Sequence, residues 1–187
     1  AQIHIGAKRV TWCGGIDFGF RAPTVLLWAA IDRDSPDAPL LIVDELVVRE
    51  QTTQEIIDLA RQRMALRRLP QPEFIAADPA GLACNEHSGV STIALWRRAG
   101  FTMRTCASSI EPGILAVRRR LKRADGTVTL QIHRRCEHLI RAMQGYRYPA
   151  PRGRSVMANG GRLIVPLKDG FDHACDALRY LITNVDR

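Results

Sequence analysis

Gly14-Gly15-Ile16-Asp17-Phe18-Gly19-Phe20 sets an acid among glycines and gives the first hint of the fold. A hydrophobic lead-in through Val10, Trp12 and Ile16 ends in an acid flanked by glycines. A second apolar run, Thr-Val-Leu-Leu-Trp-Ala-Ala-Ile, follows over residues 24–31. The pattern is that of a β-hairpin whose short turn carries Arg21, Ala22 and Pro23. Asp17 then sits on the first strand, inside a sheet, where a lone carboxylate is costly to bury. Either it turns to water at a strand end, or it faces a cation or a phosphate. The rest of the chain decides between the two.

With 187 residues, 46% of them hydrophobic and 25% charged, the chain has the composition of one globular domain with its own core. No apolar run approaches the roughly 20 residues that span a bilayer, so no membrane partner is expected. Residues 1–9 lack the pattern of a signal peptide and read as a linker remnant. The missing initiator Met fits a piece of a longer polypeptide. Five scattered cysteines without a C-x-x-C pair point to free thiols rather than to a zinc site. The net charge is +8, and its distribution is lopsided: Arg118-Arg119-Arg120-Leu121-Lys122-Arg123 is a dense basic run, while the acids gather between Asp32 and Glu86. Such asymmetry calls for a polyanionic partner, and the run is the candidate DNA-binding surface.

After the hairpin, residues 40–48 form a third strand. Thr52 and Glu55 have capping-box spacing and open a helix whose apolar positions are Ile56, Ile57, Ala60 and Met64. Residues 73–78 read as a buried strand ending on Asp78. A helix over 90–98 stops at Gly100, and residues 101–105 form a fifth strand. Ser108 and Glu111 suggest a second capping box for the helix that carries the basic run. A short strand is expected over 127–130, an amphipathic helix around Cys136, Leu139, Ile140 and Met143, and a loop over 146–161. A strand over 162–167 and a last helix over 172–184 complete the chain. Three hairpin-linked strands followed by strand–helix alternation predict a mixed sheet with helices on its faces.

Three acids stand in comparable places: Asp17 ends strand one, Asp78 ends strand four, and Asp176 lies early on the last helix. Asp172 and Asp176 share a face of that helix, with His173 between them. If they converge, their repulsion demands a counter-ion, since two unit charges about 4 Å apart cost about 4 kcal/mol at an effective dielectric near 20. Carboxylates without a Cys or His cluster suit hard cations, Mg²⁺ or Mn²⁺. Two such ions would support in-line attack of water on a phosphodiester, with the arginine surface holding the nucleic-acid backbone.

The same residues carry a family resemblance. Gly15-Ile16-Asp17-Phe18-Gly19-Phe20-x-x-Pro23-Thr24, Ala77-Asp78-Pro79-Ala80 and Asp172-His173-Ala174-Cys175-Asp176-Ala177-Leu178-Arg179-Tyr180 are similar to motifs of the C-terminal nuclease domain of the large terminase subunit. That subunit is the DNA-packaging motor of tailed double-stranded DNA bacteriophages. Gly145-Tyr146-Arg147-Tyr148-Pro149 is similar too, and the resemblance runs from about Val10 to the C-terminus. It implies an RNase H-like α/β fold: a mixed β-sheet, three antiparallel strands then parallel ones, flanked by helices. It also implies metal-dependent cutting of concatemeric viral double-stranded DNA in the cytoplasm of the infected bacterial host. By that resemblance Asp17 and Asp78 are the first two metal-holding acids and Asp176 the third, with Asp172 as substitute or simply a helix cap. His173 is a further candidate beside the metals, and Glu45 on strand three an outside one. Arg118, Arg119, Arg120, Lys122 and Arg123 would hold DNA. The implied partners are an ATPase domain, the small terminase subunit and the portal. No G-x-x-x-x-G-K-[ST] loop is present in these residues, so the chain reads as a nuclease domain without its ATPase. Gly-Ile-Asp-Phe-Gly also resembles the first phosphate loop of actin-like kinases, but that reading needs a second glycine-rich loop. A resolvase or transposase core would share acids and fold, and a docking module with structural acids is the third alternative.

Overall fold

A computed structural model of the chain describes residues 10–84, 89–106, 109–149 and 166–186. In it the opening stretch closes β1 (Val10–Asp17), which pairs antiparallel with β2 (Thr24–Asp32) so that Asp17 stands opposite Val25. The connection is pinched by Thr24, whose Oγ1 accepts from the Gly19 amide at 2.9 Å and donates to the Gly19 carbonyl at 2.7 Å. A Cβ on Gly19 would lie 2.5 Å from the Ala22 carbonyl oxygen, so the tight turn requires glycine. β3 (Leu40–Val48) completes the antiparallel meander.

Parallel strands extend the meander on both sides. β4 (Phe74–Ala77) lies along β1, β5 (Met103–Thr105) along β4, and β6 (Leu130–Ile132) along β3, giving the order β5-β4-β1-β2-β3-β6. Ile16 faces Ala77 across the β1–β4 pair. The next residue on each strand is an acid, so Asp17 and Asp78 leave the sheet at the same edge. That edge, at the carboxyl ends of parallel strands, is where open α/β sheets bind their ligands.

The period-two alternation of β2 sorts the core into two layers. Leu26 and Trp28 pack under α1 (Thr53–Arg67) and α2 (Thr92–Arg98), while Val25, Leu27, Ala29 and Ile31 face the other side. That second side is covered by α3 (Ile110–Leu121), α4 (Glu137–Gly145) and α5 (Asp172–Val185). α5 lies directly on β1, burying Ala174, Ala177, Leu178 and Leu181. A Cβ on Gly15 would sit 2.3 Å from the Ala177 carbonyl oxygen and 2.7 Å from Leu181 Cβ, so this glycine sets how closely helix and strand approach.

The helix and strand expectations hold among the described residues with several boundary shifts: β4 ends at Ala77, one residue before Asp78, and α2 starts at Thr92. α1 opens on the expected capping box, Thr52 Oγ1 accepting from Glu55 N and Glu55 accepting from Thr52 N at 2.7 Å. α3 starts later than expected, with Ser109 in the N-cap position; Ser108 is outside the described residues. β6 covers Leu130–Ile132 rather than 127–130, because its ladder begins where Leu130 meets Leu40. Thr129 N is taken by the Arg120 carbonyl instead. Phe101 likewise belongs to the end of α2, its amide bonded to the Trp96 carbonyl. The expected linker over 1–9, most of the loop over 146–161 and residues 162–165 of the strand expected over 162–167 lie outside the described residues, while Pro166 and Leu167 are not in a strand. The five cysteines are thiols rather than disulfides, and among the described residues no helix is long and apolar enough to cross a membrane.

Candidate active site

At the edge where β1 and β4 end, a cavity of about 670 Å³ opens between the sheet, α5 and the start of α3. Asp17, Asp78, Asp172 and Asp176 all line it, together with His173, Lys168, Arg179 and Tyr180. Sheet register delivers the first two acids; α5 delivers the others from its first two turns, because Gly15 lets it lie on β1. The aspartates singled out in the sequence thus line one cavity.

Each carboxylate has a partner from α5 or from its own turn. Asp17 Oδ2 lies 2.8 Å from His173 Nδ1. With Asp17 ionised, Nδ1 donates to it, and Nε2 lies 4.0 Å from Asp172 Oδ1. Asp78 accepts from the Ala80 amide at 2.8 Å on one oxygen and from the Tyr180 hydroxyl at 2.5 Å on the other. Asp176 Oδ1 accepts from both Nε and Nη2 of Arg179, at 3.1 and 3.0 Å. Asp172 is buried and accepts from Gly170 N at 3.1 Å; Phe171, not Asp172, holds the N-cap position.

The electrostatics are those of crowded acids in a dry place. Burial pushes the Asp17 carboxyl up to about 6, with Asp176 and Asp78 adding to the rise against the His173 hydrogen bond. Burial likewise raises Asp176, opposed by Arg179 and reinforced by Asp172. Burial works against the Arg179 charge, yet Asp176 and Tyr180 more than offset it, so the guanidinium stays a cation. The Tyr180 phenol is raised by burial and by its bond to Asp78. Cys175 is pushed up to about 12 by burial and by Asp176 and Asp172, which makes it a poor thiolate ligand. A donor set of carboxylates and one imidazole fits Mg²⁺ or Mn²⁺. Among the described residues no three His, Cys, Asp or Glu side chains stand close enough to share one ion.

Two sequence expectations are corrected. Glu45 is not at this site: its carboxylate accepts from the amides of His138 at 2.7 Å and Leu139 at 2.9 Å, capping the start of α4. An acid that serves a helix N-terminus is committed there. Arg120 is not a DNA-facing residue either. It is buried, its guanidinium bonded to Asp186 and, at 3.0 Å, to the Ala38 carbonyl. Arg123 pairs with Asp37 at the surface, whereas Arg118, Arg119 and Lys122 are exposed. Arg118 also lines an apolar cavity of about 220 Å³ that shares Arg179 with the acid pocket. The sequence reading missed Tyr180, Arg179 and Lys168. Arg179 was detectable as a helical i+3 partner of Asp176. The Tyr180–Asp78 bond spans 102 positions and leaves no local trace.

No family model and no curated protein matches the sequence. Solved structures do match. The large terminase of a thermophilic bacteriophage aligns at a TM-score of 0.67 with 20% identity, covering 94% of this chain and 40% of that one. The large terminase nuclease domain of bacteriophage SPP1 with bound Mn aligns at 0.60 with 17% identity, covering 94% and 86%. The large terminase nuclease of thermophilic phage G20c with bound magnesium aligns at 0.60 with 15% identity, covering 94% and 82%. The chain thus spans about two-fifths of the first of these terminases and most of the two nuclease structures. Over almost its whole length, this chain has the mixed-sheet fold of the large terminase nuclease domains.

Proposed function

We propose that this domain is a metal-dependent endonuclease that hydrolyses phosphodiester bonds of double-stranded DNA, and that it cuts concatemeric viral DNA during genome packaging. The observation that carries the reading is the meeting of Asp17, Asp78, Asp172 and Asp176 in one pocket at the carboxyl ends of parallel strands. The likeness to nuclease domains solved with Mn and with magnesium supports it. The domain's partners would be DNA and, in a longer protein, an ATPase domain, with the small terminase subunit and portal completing the motor in the host cytoplasm.

Asp17, Asp78 and Asp176, with Asp172 alongside, would hold two Mg²⁺ or Mn²⁺ ions. Such ions, when bound, lower the pKa of water for attack and stabilise the leaving oxygen. The chain's own groups do the rest. His173 orients Asp17 through Nδ1, and Ala80 N fixes Asp78. Lys168 lines the pocket as an exposed cation suited to a phosphate oxygen, and the start of α3 adds the partial positive charge of a helix N-terminus. Arg118, Arg119 and Lys122 supply the cationic surface that positions the backbone.

The test is plasmid cleavage by the isolated chain. Supercoiled DNA incubated with Mn²⁺ or Mg²⁺ should be nicked and linearised with little sequence preference, and EDTA should stop the reaction. Asp17→Ala should reduce cleavage by at least about a hundredfold, as removal of a core metal ligand does. Full metal-dependent cleavage by that variant would assign the acids a structural role and leave a DNA-docking module as the better reading. Preference for four-way junctions over linear duplex would favour a resolvase.

A further inference from the structure

We propose that Tyr180 and Arg179 are positioning residues of this site, a stacked pair that ties Asp78 to Asp176 and fixes the spacing of these two acids. The inference rests on the metal-dependent reading above and assigns roles to two residues which that reading does not use.

Asp78 follows β4 and Asp176 rides on α5, so nothing in the local backbone fixes one relative to the other. Two side chains do. The Tyr180 hydroxyl donates to Asp78 Oδ2 at 2.5 Å, while Ala80 N, two residues away, holds the other oxygen at 2.8 Å. The carboxylate is thus gripped from two sides and has one orientation. The Arg179 guanidinium lies over the Tyr180 ring at 4.5 Å from its centroid, a cation–π contact that keeps both planes in place. The same guanidinium directs Nε and Nη2 onto Asp176 Oδ1 alone. Asp176 Oδ2 accepts no hydrogen bond from a described residue, and its carboxylate lines the pocket. One oxygen is held and the other is presented, which is the arrangement by which outer hydrogen bonds orient metal-holding carboxylates.

The competing reading is that Arg179 and Tyr180, 5% and 6% exposed, merely seat α5. Stability and metal affinity separate the two. Tyr180→Phe keeps the ring and the stack and removes only the hydroxyl. Arg179→Lys keeps the charge and loses the planar fork. Mn²⁺ binding to the whole chain is measured by calorimetry, alongside thermal melting in EDTA. Tyr180→Phe should weaken Mn²⁺ binding by about tenfold with its melting temperature within a few degrees of the unaltered chain. Arg179→Lys should weaken it as well, and the double variant should lose less than the product of the single losses, because the two side chains form one linkage. Binding by Tyr180→Phe within twofold of the unaltered chain, or strictly multiplicative losses in the double variant, overturns the proposal. Should Tyr180→Phe fail to fold, Arg179→Lys decides by the same twofold criterion. If the unaltered chain binds no Mn²⁺, the metal reading falls and this one with it. Binding that is lost in Asp17→Ala but kept in Tyr180→Phe leaves the metal reading standing and overturns only this one.

Discussion

Asp17 shows at the scale of one residue what a buried acid costs its own fold. Its carboxyl is raised to about 6 by burial and by the neighbouring Asp176 and Asp78, while in the unfolded chain it titrates near 3.8. The sign follows directly. Between pH 4 and 6 the folded state holds a proton that the unfolded state has released, so this contribution to stability falls as pH rises through that window. At pH 7.5 the ionised group weakens the fold by up to about 3 kcal/mol relative to its protonated form. Asp17→Asn, which keeps the shape and removes the charge, should therefore raise the melting temperature in EDTA at pH 7.5 by several degrees. At pH 4.5 the gain should shrink to about 1 kcal/mol, because Asp17 is then neutral in the fold and only the unfolded chain still releases its proton. Scanning fluorimetry at the two pH values checks this, and an Asn variant less stable at pH 7.5 would refute it. Asp17 was legible from its glycine-flanked place on a strand. His173 stood out as a candidate beside the metals, but neither its bond to Asp17 nor the reliance of Asp78 on Tyr180 was legible, since the partners lie far apart in the chain.

Among the elements, α5 and β1 govern the site together. α5 carries Asp172, His173, Asp176, Arg179 and Tyr180, and Gly15 decides how closely it approaches the sheet. Of the glycines around Asp17, Gly15 is needed for helix packing and Gly19 for the turn, whereas Gly14 is in a looser contact. A substitution series tests the difference. A Cβ at Gly14 would meet the Leu27 carbonyl oxygen at 3.0 Å, a tight contact, whereas at Gly15 it would meet backbone at 2.3 Å and force α5 outward. Gly15→Ala should destabilise by about 1–3 kcal/mol or more, with Gly14→Ala costing less. On the proposed reading, Mn²⁺ affinity should fall in the Gly15 variant in step with stability, because the helix takes Asp172 and Asp176 with it. Equal melting temperatures for the two variants would remove the argument. Hairpin alternation and the Thr52–Glu55 box made β1 to β3 and α1 readable because their signals are local. β6 slid by three residues from its expected start because its position is set by pairing with β3, a contact between distant segments.

For the whole molecule, the excess of positive charge has to be divided between the fold and the proposed DNA surface. Six consecutive positions, 118–123, looked like one basic surface, but helical geometry turns Arg120 inward to Asp186 and Ala38, and Arg123 pairs with Asp37. Arg118, Arg119 and Lys122 remain exposed, on the helix whose first residues border the acid pocket. Phosphate contacts announce themselves through counter-ion release, each neutralised phosphate adding about 0.9 to the slope of log K against log salt for duplex DNA. Replacing Arg118, Arg119 and Lys122 by glutamine together should flatten that slope by up to about 3 and weaken binding alike on all sequences. Arg120→Gln should do the opposite: leave the salt slope in place and destabilise the fold by about 1–3 kcal/mol, since the Ala38 carbonyl and Asp186 lose their donor. Fluorescence anisotropy on a short duplex across a salt series, paired with thermal melting, measures both quantities. A slope that follows Arg120 rather than the exposed trio would mean that the inward arginine reaches DNA, and that the division of charge drawn from its burial is wrong.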